Sequence, residues 1–202
     1  MIAYASRTGT KRNLDALRRA GWRLLVSAKG DHRPEGFRYA IDNGAWTAHT
    51  RGQPFDEAAF ALVVEKLGHG ADWIVAPDIV GGGLDSLRMS LSWLDRLLPI
   101  APVLLAVQDG MVPHDVRGVL SSRLGIFVGG STDWKLRTVE QWGKLGACVG
   151  CHVHVGRVNT VRRVFQCRDA GATSFDGSSV SRWAINLPRL EGARRQEGFK
   201  WR

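Results

Sequence analysis

The amino-acid sequence predicts a compact (β/α)8 barrel, in which eight parallel strands alternate with helices and close into a ring. Three observations support this prediction. Eight short apolar runs rich in β-branched and aromatic residues recur along the chain. Most of them are followed by a segment with the periodicity of an amphipathic helix. The length of 202 residues is enough for one substantial core, so a single domain covering residues 1–202 is expected.

Each predicted strand is a nearly continuous apolar run, as expected for parallel strands buried on both faces. The strands are predicted at Ile2 to Ser6, Trp22 to Ser27, Tyr39 to Asp42, Trp73 to Asp78, Val103 to Gln108, Ile126 to Gly130, His152 to Gly156, and Thr173 to Asp176. Closing them into a ring leaves no strand edge unpaired, and an open doubly wound sheet is the alternative. The glycines and proline between residues 27 and 39 leave little room for a crossover helix there.

The segments between strands have the apolar spacing of amphipathic helices. Helices are predicted at Arg12 to Ala20, Asp56 to Leu67, Asp85 to Leu98, Asp115 to Leu120, Thr132 to Leu145, Thr160 to Ala170, and a last stretch from Arg182 to Ala193 that contains Pro188. Capping residues mark several starts, at Asp56, Asp85, Thr132 and Thr160. Glycines mark several ends, at Gly21, Gly68 and Gly171.

The charge of the chain indicates a polyanionic partner. The formal net charge is +9 and the isoelectric point is near 10.2, and such a field attracts nucleic acid. Basic residues gather near both ends, including a tail at about 189–202, and the expected nucleic-acid contacts are Arg157, Arg194, Arg195 and Lys200. The alternative for the tail is a solvated, mobile terminus. The N-terminal residues show no secretion signal and no apolar run is long enough to cross a bilayer, so we expect no membrane partner and a cytoplasmic location.

Three cysteines, Cys148, Cys151 and Cys167, are a poor basis for a disulfide framework because their number is odd. The Cys148-x-x-Cys151 spacing, with His152 and His154 after it, offers metal ligands. A structural zinc site normally pairs two such motifs, so the sequence favours small core residues and no metal.

Polar residues and glycines follow the predicted strands at the point where each strand ends. The active site of a (β/α)8 barrel is built at these ends. The segments are Asp42-Asn43-Gly44, Pro77-Asp78, Gln108-Asp109-Gly110, Gly129-Gly130-Ser131, Gly156-Arg157 and Asp176-Gly177. Any single Asp there could instead cap a helix or form a turn. Together, however, Asp42, Asp78 and Asp176 are predicted to converge, and grouped carboxylates raise each other's pKa, which favours a chemical role.

This set of side chains suits chemistry at a nucleoside. One carboxylate can attack the sugar C1′ while another manages a proton, as in retaining glycosyl transfer. Asp and Gln side chains can bind the Watson–Crick edge of a purine, and Gly129 and Gly130 would let backbone amides approach its carbonyl oxygen. Trp46 could stack on the base, or could equally be a core aromatic residue.

From Tyr39 to Ser179 these motifs resemble those of the tRNA-guanine transglycosylase superfamily, especially the short bacteriophage-type members that insert 7-deazaguanine bases into DNA. The resemblance makes Asp176, in Ser174-Phe175-Asp176-Gly177, the covalent nucleophile, and Asp42, in Asp42-Asn43-Gly44-Ala45-Trp46, the general acid/base. It also implies a base-binding set composed of Asn43, Trp46, Asp78, Gln108, Gly129, Gly130 and Gly156.

The resemblance implies an enzyme that exchanges guanine in DNA for a free 7-deazaguanine, such as 7-cyano-7-deazaguanine, without a cofactor. For a phage-encoded enzyme the location would be the host cytoplasm. The tRNA enzymes carry a cysteine-rich zinc motif after the last strands, and the residues after Asp176 contain no Cys or His, which favours the DNA-directed branch. The alternatives are a tRNA-guanine transglycosylase, a base-releasing glycosylase, a metal-dependent hydrolase and a non-catalytic nucleic-acid-binding barrel. Gly81-Gly82-Gly83 is predicted as either a mobile substrate loop or a tight turn.

Overall fold

The structure is a computed structural model that describes residues 1–196, and it confirms the (β/α)8 barrel. Eight parallel strands follow one another around the ring in sequence order. The ring closes between its first and last strands, where Ile2 pairs with Ser174 and Tyr4 pairs with Asp176. An open doubly wound sheet, the alternative, is therefore wrong. Lys200 and the rest of the basic tail after residue 196 lie outside the described residues.

The strands are short and lie close to their predicted positions. They are β1 (Ile2–Ser6), β2 (Arg23–Ser27), β3 (Tyr39–Asp42), β4 (Ile74–Val75), β5 (Val103–Val107), β6 (Leu124–Val128), β7 (Val153–Val155) and β8 (Ser174–Asp176). The apolar character of β5 reflects burial on both faces, since all of its residues are buried. The chain from β2 to β3 forms no helix within residues 28–38, as the glycines and proline there predict.

Helices surround the barrel. They are α1 (Lys11–Arg19), α2 (Ala45–Thr50), α3 (Glu57–Leu67), α4 (Gly83–Ser92), α5 (Leu94–Leu97), α6 (Pro113–Arg117), α7 (Thr132–Val149), α8 (Val161–Asp169), α9 (Ser179–Arg182) and α10 (Asn186–Arg195), with a 3₁₀ turn at Gly68–Gly70. Asp56 and Thr160 cap α3 and α8 as predicted, because their side chains accept the N–H of Ala59 and Arg163. The cap of α7 is Ser131 rather than Thr132.

Two predicted helices are each divided in the structure. The stretch 85–98 forms α4 and α5, which meet at Trp93, where the backbone N–H bonds to Ser90 O and the buried indole packs on Phe60. The α4 helix also begins two residues earlier than predicted, so Asp85 lies in its first turn and is not the cap. The stretch 182–193 forms the end of α9 and most of α10, and Pro188 lies in the first turn of α10, where no intrahelical N–H bond is lost.

The interior of the barrel is filled at the end where the strands begin. Tyr4 and Trp73 pack edge to face there, with ring centroids 5.1 Å apart. The Tyr4 hydroxyl and Arg23 Nη1 both donate to Oδ2 of Asp72, at 3.0 and 2.9 Å. This buried layer leaves the open space of the barrel at the carboxyl ends of the strands.

No helix within residues 1–196 has the length and apolar character needed to cross a membrane.

Candidate active site

A cavity of about 670 Å³ opens at the carboxyl ends of the strands. This volume is within the range of small-molecule sites and can hold a nucleoside. Every residue predicted to act in catalysis or base binding lines it, namely Asp42, Asn43, Trp46, Asp78, Gln108, Gly129, Gly130, Gly156 and Asp176. Arg157, predicted as a nucleic-acid contact, lines it too. The three strand-end aspartates therefore converge on one cavity, as predicted.

Asp42 ends β3 and points into this cavity beside the other carboxylates. Desolvation, together with the negative charges of Asp176 and Asp78, raises the pKa of Asp42 to about 7. The Gly44 N–H donates to its Oδ2 at 3.2 Å. A carboxyl group with a pKa near neutrality can both donate and accept a proton at physiological pH, so Asp42 is suited to general acid/base work.

Asp78 follows β4 and is held by Asn43. The amide Nδ2 of Asn43 donates to Asp78 Oδ1 and to the carbonyl oxygen of Ala76, both at 2.7 Å. Asn43 Oδ1 accepts the N–H of Ala45 at 2.9 Å. Burial raises the pKa of Asp78 to about 6, against the opposing effect of the Asn43 hydrogen bond. The side chain of Asn43 is thus engaged within the protein, and it fixes the orientation of Asp78 in the cavity.

Asp176, at the end of β8, is fixed by two donors. His154 Nε2 lies 3.1 Å from its Oδ1, and the backbone N–H of Arg157 donates to the same oxygen at 3.2 Å. The residue is 8% exposed, and its carboxylate reaches the cavity. These two contacts therefore hold the Asp176 carboxylate in one orientation at the cavity.

A chain of hydrogen bonds runs from Asp176 into the barrel interior. His154 Nδ1 and His152 Nε2 each lie 2.7 Å from Ser174 Oγ. Burial lowers the pKa of both imidazoles, that of His152 to about 4 and that of His154 against the opposing effect of Asp176, which favours the neutral form of both rings. A neutral His154 that donates from Nε2 to Asp176 must accept at Nδ1 from the Ser174 hydroxyl, which in turn accepts from His152. With this tautomer of His154, all donors in the hydrogen-bond series point toward the Asp176 carboxylate.

Lys135, in the first turns of α7, is a site residue that the sequence analysis missed. It is 5% exposed, lines the cavity, and donates from Nζ to the carbonyl oxygen of Gly156. Desolvation and the positive charge of Arg157 lower the pKa of Lys135 to about 8, against the opposing attraction of Asp176. The sequence signal was weak, because a lysine in an amphipathic helix is most often on the solvated face.

Gln108 holds the loop after β4. Its Nε2 donates to Ile79 O at 2.9 Å and Ser86 Oγ at 2.7 Å, and its Oε1 accepts the N–H of Gly81 at 2.6 Å. Two alternatives were predicted for Gly81-Gly82-Gly83, a mobile loop and a tight turn, and the structure has the tight turn. The Gly82 N–H donates to Ile79 O at 2.8 Å. Gln108 lines the cavity while its polar atoms contact this loop.

Trp46 lies at the mouth of the cavity, 46% exposed, and is not a core residue. The guanidinium of Arg157 lies over its ring, with Cζ 3.9 Å from the centroid, and also donates to Gly130 O. Arg157 itself has a left-handed backbone, with φ of 59°. The indole therefore has one face covered by a cation and stands at the cavity rim.

Two of the three glycines predicted to bind a base are also required by close packing within the protein. A Cβ on Gly156 would lie 2.9 Å from Phe127 Cζ and 3.4 Å from Asp176 Oδ1. A Cβ on Gly130, where φ is +69°, would lie 2.6 Å from Asp109 Oδ2. Gly129 has only ordinary contacts at the Cβ position. Close packing accounts for two of the three glycines without any ligand.

The two other predicted nucleic-acid contacts among residues 1–196, Arg194 and Arg195, lie away from the cavity. Arg194 donates to Glu191, Met1 O and Ala20 O, which places it where β1 begins, at the opposite end of the barrel. Arg195 also pairs with Glu191.

Cys148 is exposed, Cys151 and Cys167 are buried, and all three are free thiols. Within residues 1–196 no three His, Cys, Asp or Glu side chains are grouped to hold a metal ion.

No protein-family model matches the chain, and no curated protein matches it.

Proposed function

We propose that the protein is a guanine transglycosylase that exchanges guanine in DNA for a free 7-deazaguanine base through a covalent deoxyribosyl-enzyme. One observation carries the proposal: Asp176, fixed by two donors, and Asp42, with a pKa of about 7, face one cavity large enough for a nucleoside. Glycosyl exchange needs these two groups, an ionised nucleophile and a carboxyl group that carries a proton.

In the first half of the reaction, a carboxylate oxygen of Asp176 forms a bond to C1′ of the target nucleotide. The bond from C1′ to guanine breaks, and the proton of Asp42 neutralises the departing base. In the second half, the incoming base gives a proton to Asp42 and attacks C1′. The ester bond then breaks and Asp176 leaves as a carboxylate. The bonds broken and formed are equivalent, so no energy source is required.

The target nucleotide has to leave the base stack before Asp176 can reach C1′. Asp78, oriented by Asn43, is positioned to accept hydrogen bonds from the Watson–Crick edge of a guanine. Trp46, with Arg157 on one face, offers an aromatic surface at the rim. The net charge of +9 favours a polyanionic substrate over a free nucleoside.

The decisive experiment incubates the protein with DNA and a panel of free 7-deazaguanines, and measures the nucleosides of the digested DNA by mass spectrometry. We expect a deazaguanine nucleoside to replace deoxyguanosine. Asp176→Ala should abolish both the exchange and a protein–DNA adduct that survives denaturation. Asp169→Ala, an exposed carboxylate on α8, is the matched control and should leave both intact.

Three other outcomes would contradict the proposal. Full base exchange by the Asp176→Ala variant would show that Asp176 is not the nucleophile. Abasic sites without incorporation would indicate a base-releasing glycosylase. Incorporation into tRNA and not into DNA would indicate the tRNA-directed reaction.

A further inference from the structure

The helices around the cavity mouth begin with opposite charges on the two sides of the barrel. After each of β3 to β6 one helix carries an acidic residue in its first turn, namely Glu57 in α3, Asp85 in α4, Asp115 in α6 and Asp133 in α7. The short helix α2, which also follows β3, has none. In contrast, α1 and α8 have no acid in their first turns. They begin with Lys11 and Arg12, and with Arg162 and Arg163. Because β7, β8 and β1 are neighbours in the ring, the basic side is continuous.

We name four exposed cations on this side the basic arc: Lys11, Arg12, Arg162 and Arg182. Arg182 ends α9 and lines the cavity. A cation at a helix N-terminus opposes the helix dipole, so the positions of Arg12 and Arg162 do not favour folding. The ion pairs among the described residues include none with a member of the arc, whereas Arg194 and Arg195 are paired with Glu191. The arc thus carries positive charge that the fold does not neutralise.

Trp183 stands beside the arc, directly after Arg182, and is 66% exposed. The preceding helix α9 is held to the barrel rim, because Ser181 Oγ donates to Ser6 O at 2.5 Å. An exposed indole next to uncompensated cations is the combination that binds single-stranded nucleic acid, through base stacking and phosphate contacts. It is also the combination least explained by packing, since large aromatic residues are usually buried.

We propose that the basic arc and Trp183 bind a single-stranded DNA segment on either side of the nucleotide whose base enters the cavity. The sugar–phosphate backbone crosses the side of the mouth formed by β7, β8 and β1, and Trp183 stacks on a neighbouring base. The entering base then points across the barrel toward Asp42 at the end of β3 and Asp78 after β4. Asp176 on β8 lies under the middle of the arc, on the sugar side. This inference rests on the proposed function and adds the surface, the strand form and the direction of approach.

The chain offers a matched pair of charge reversals on one helix. Arg12 is in the first turn of α1, at the mouth, and Arg19 is in the last turn, at the opposite end. The helix dipole should make Arg12→Glu stabilising and Arg19→Glu destabilising. If the arc binds DNA, however, Arg12→Glu should weaken binding while raising Tm. Loss of binding with a gain in Tm cannot come from unfolding.

The assay is fluorescence anisotropy of a labelled single-stranded DNA 15-mer at several salt concentrations. We expect Arg12→Glu and Arg162→Glu each to raise Kd about tenfold at low salt and to reduce the salt slope by about 0.7 per lost phosphate contact. Arg19→Glu should change Kd less than about twofold. Equal effects of Arg12→Glu and Arg19→Glu, or no effect of Arg162→Glu, would overturn the proposal.

The stacking contact has its own test. Trp183→Ala should raise Kd about tenfold, and Trp183→Phe should restore most of the affinity, because a phenyl ring retains a stacking face. Leu62→Ala removes a comparably exposed apolar side chain on α3 and should have no effect. An unchanged Kd for Trp183→Ala would show that Trp183 is not part of the DNA-binding surface.

These binding assays do not require turnover, so they separate the two proposals. Weaker binding by the arc variants without any base exchange in the wild type would support the surface and reject the chemistry. Base exchange that is unaffected by the arc variants, at DNA concentrations below Kd, would support the chemistry and reject the surface.

Discussion

The Nε2 atom of His154 lies 3.1 Å from Oδ1 of Asp176, and the Nδ1 atom of the same ring lies 2.7 Å from Ser174 Oγ. The ring is fully buried and stacks on Phe127, with centroids 4.9 Å apart. Its orientation is therefore set by packing on its face and by hydrogen bonds at both nitrogens. In the proposed reaction we therefore expect His154 to act through Asp176, as a positioning residue.

Removing this donor should slow the chemical step and leave DNA binding unchanged. His154→Leu should reduce the single-turnover rate of adduct formation about 100-fold, because a small misplacement of a nucleophile has an effect of this size. His154→Gln, which keeps a donor near the Nε2 position, should recover part of the rate. His114→Leu, at an exposed histidine on α6, is the control. A rise in KM for DNA with an unchanged rate would contradict the positioning role.

Asp42→Asn should stabilise the protein in a pH-dependent way. The folded state keeps the Asp42 proton up to about pH 7, whereas the unfolded chain loses it near pH 3.8. Between these values the wild type loses stability as the pH rises, and the asparagine variant lacks this loss. The stability gained by the variant should therefore increase from pH 4 to pH 7 by about 2–4 kcal/mol and then stay level. Urea unfolding at pH 4, 6 and 8 measures it, and a gain that is constant across this range would be inconsistent with a raised pKa.

Lys135→Met should show the opposite trend at higher pH. The pKa of Lys135 is lowered from 10.5 to about 8, so the unfolded chain holds this proton between pH 8 and pH 10.5 while the folded state does not. The wild type therefore gains stability over this interval, by about 3 kcal/mol, and the methionine variant does not. Denaturant unfolding of both proteins at pH 7.5 and pH 10 tests this. Lys144→Met, at an exposed lysine on the same helix, should show no such difference.

Gly156→Ala should destabilise the protein by about 1–3 kcal/mol and lower its activity. The added methyl group would lie 2.9 Å from Phe127 Cζ and would push against the ring that packs on His154. Gly118→Ala adds the same group at a position with nothing within 4 Å, so its Tm should be close to that of the wild type. Equal Tm values for the two variants, measured by calorimetry, would refute the steric argument.

Much of the fold could be predicted because buried strands have a clear apolar sequence pattern. A parallel strand buried on both faces has to be apolar along its length, and β5 at Val103–Val107 is an example. Helix ends were harder to predict where tertiary contacts decide them. Trp93 divides α4 from α5 because its ring packs against Phe60, a residue more than 30 positions away in the sequence. Local periodicity carries no information on such a contact.

The site was predicted where position along a strand determines direction. Asp42 and Asp176 end their strands, so closure of the ring alone brings them to one cavity. Lys135 was missed, because its burial depends on how α7 packs beside Gly156. The basic arc was also missed in part, because the sequence shows clusters of arginine but not which of them are paired with a carboxylate, as Arg194 and Arg195 are with Glu191. Arg194, predicted as a nucleic-acid contact, lies at the far end of the barrel from the cavity.

The packed layer of Tyr4, Trp73, Arg23 and Asp72, at the end of the barrel where the strands begin, sets the order of events that the proposed base exchange would have to follow. A base cannot depart downward through this layer, so guanine has to leave by the side from which its replacement arrives. The incoming base then cannot enter until guanine has left, and during that interval the deoxyribose without its base has to stay bound to the protein. A covalent bond to the protein would hold it there, and ping-pong kinetics with free guanine as a competitor of the incoming base would be the signature.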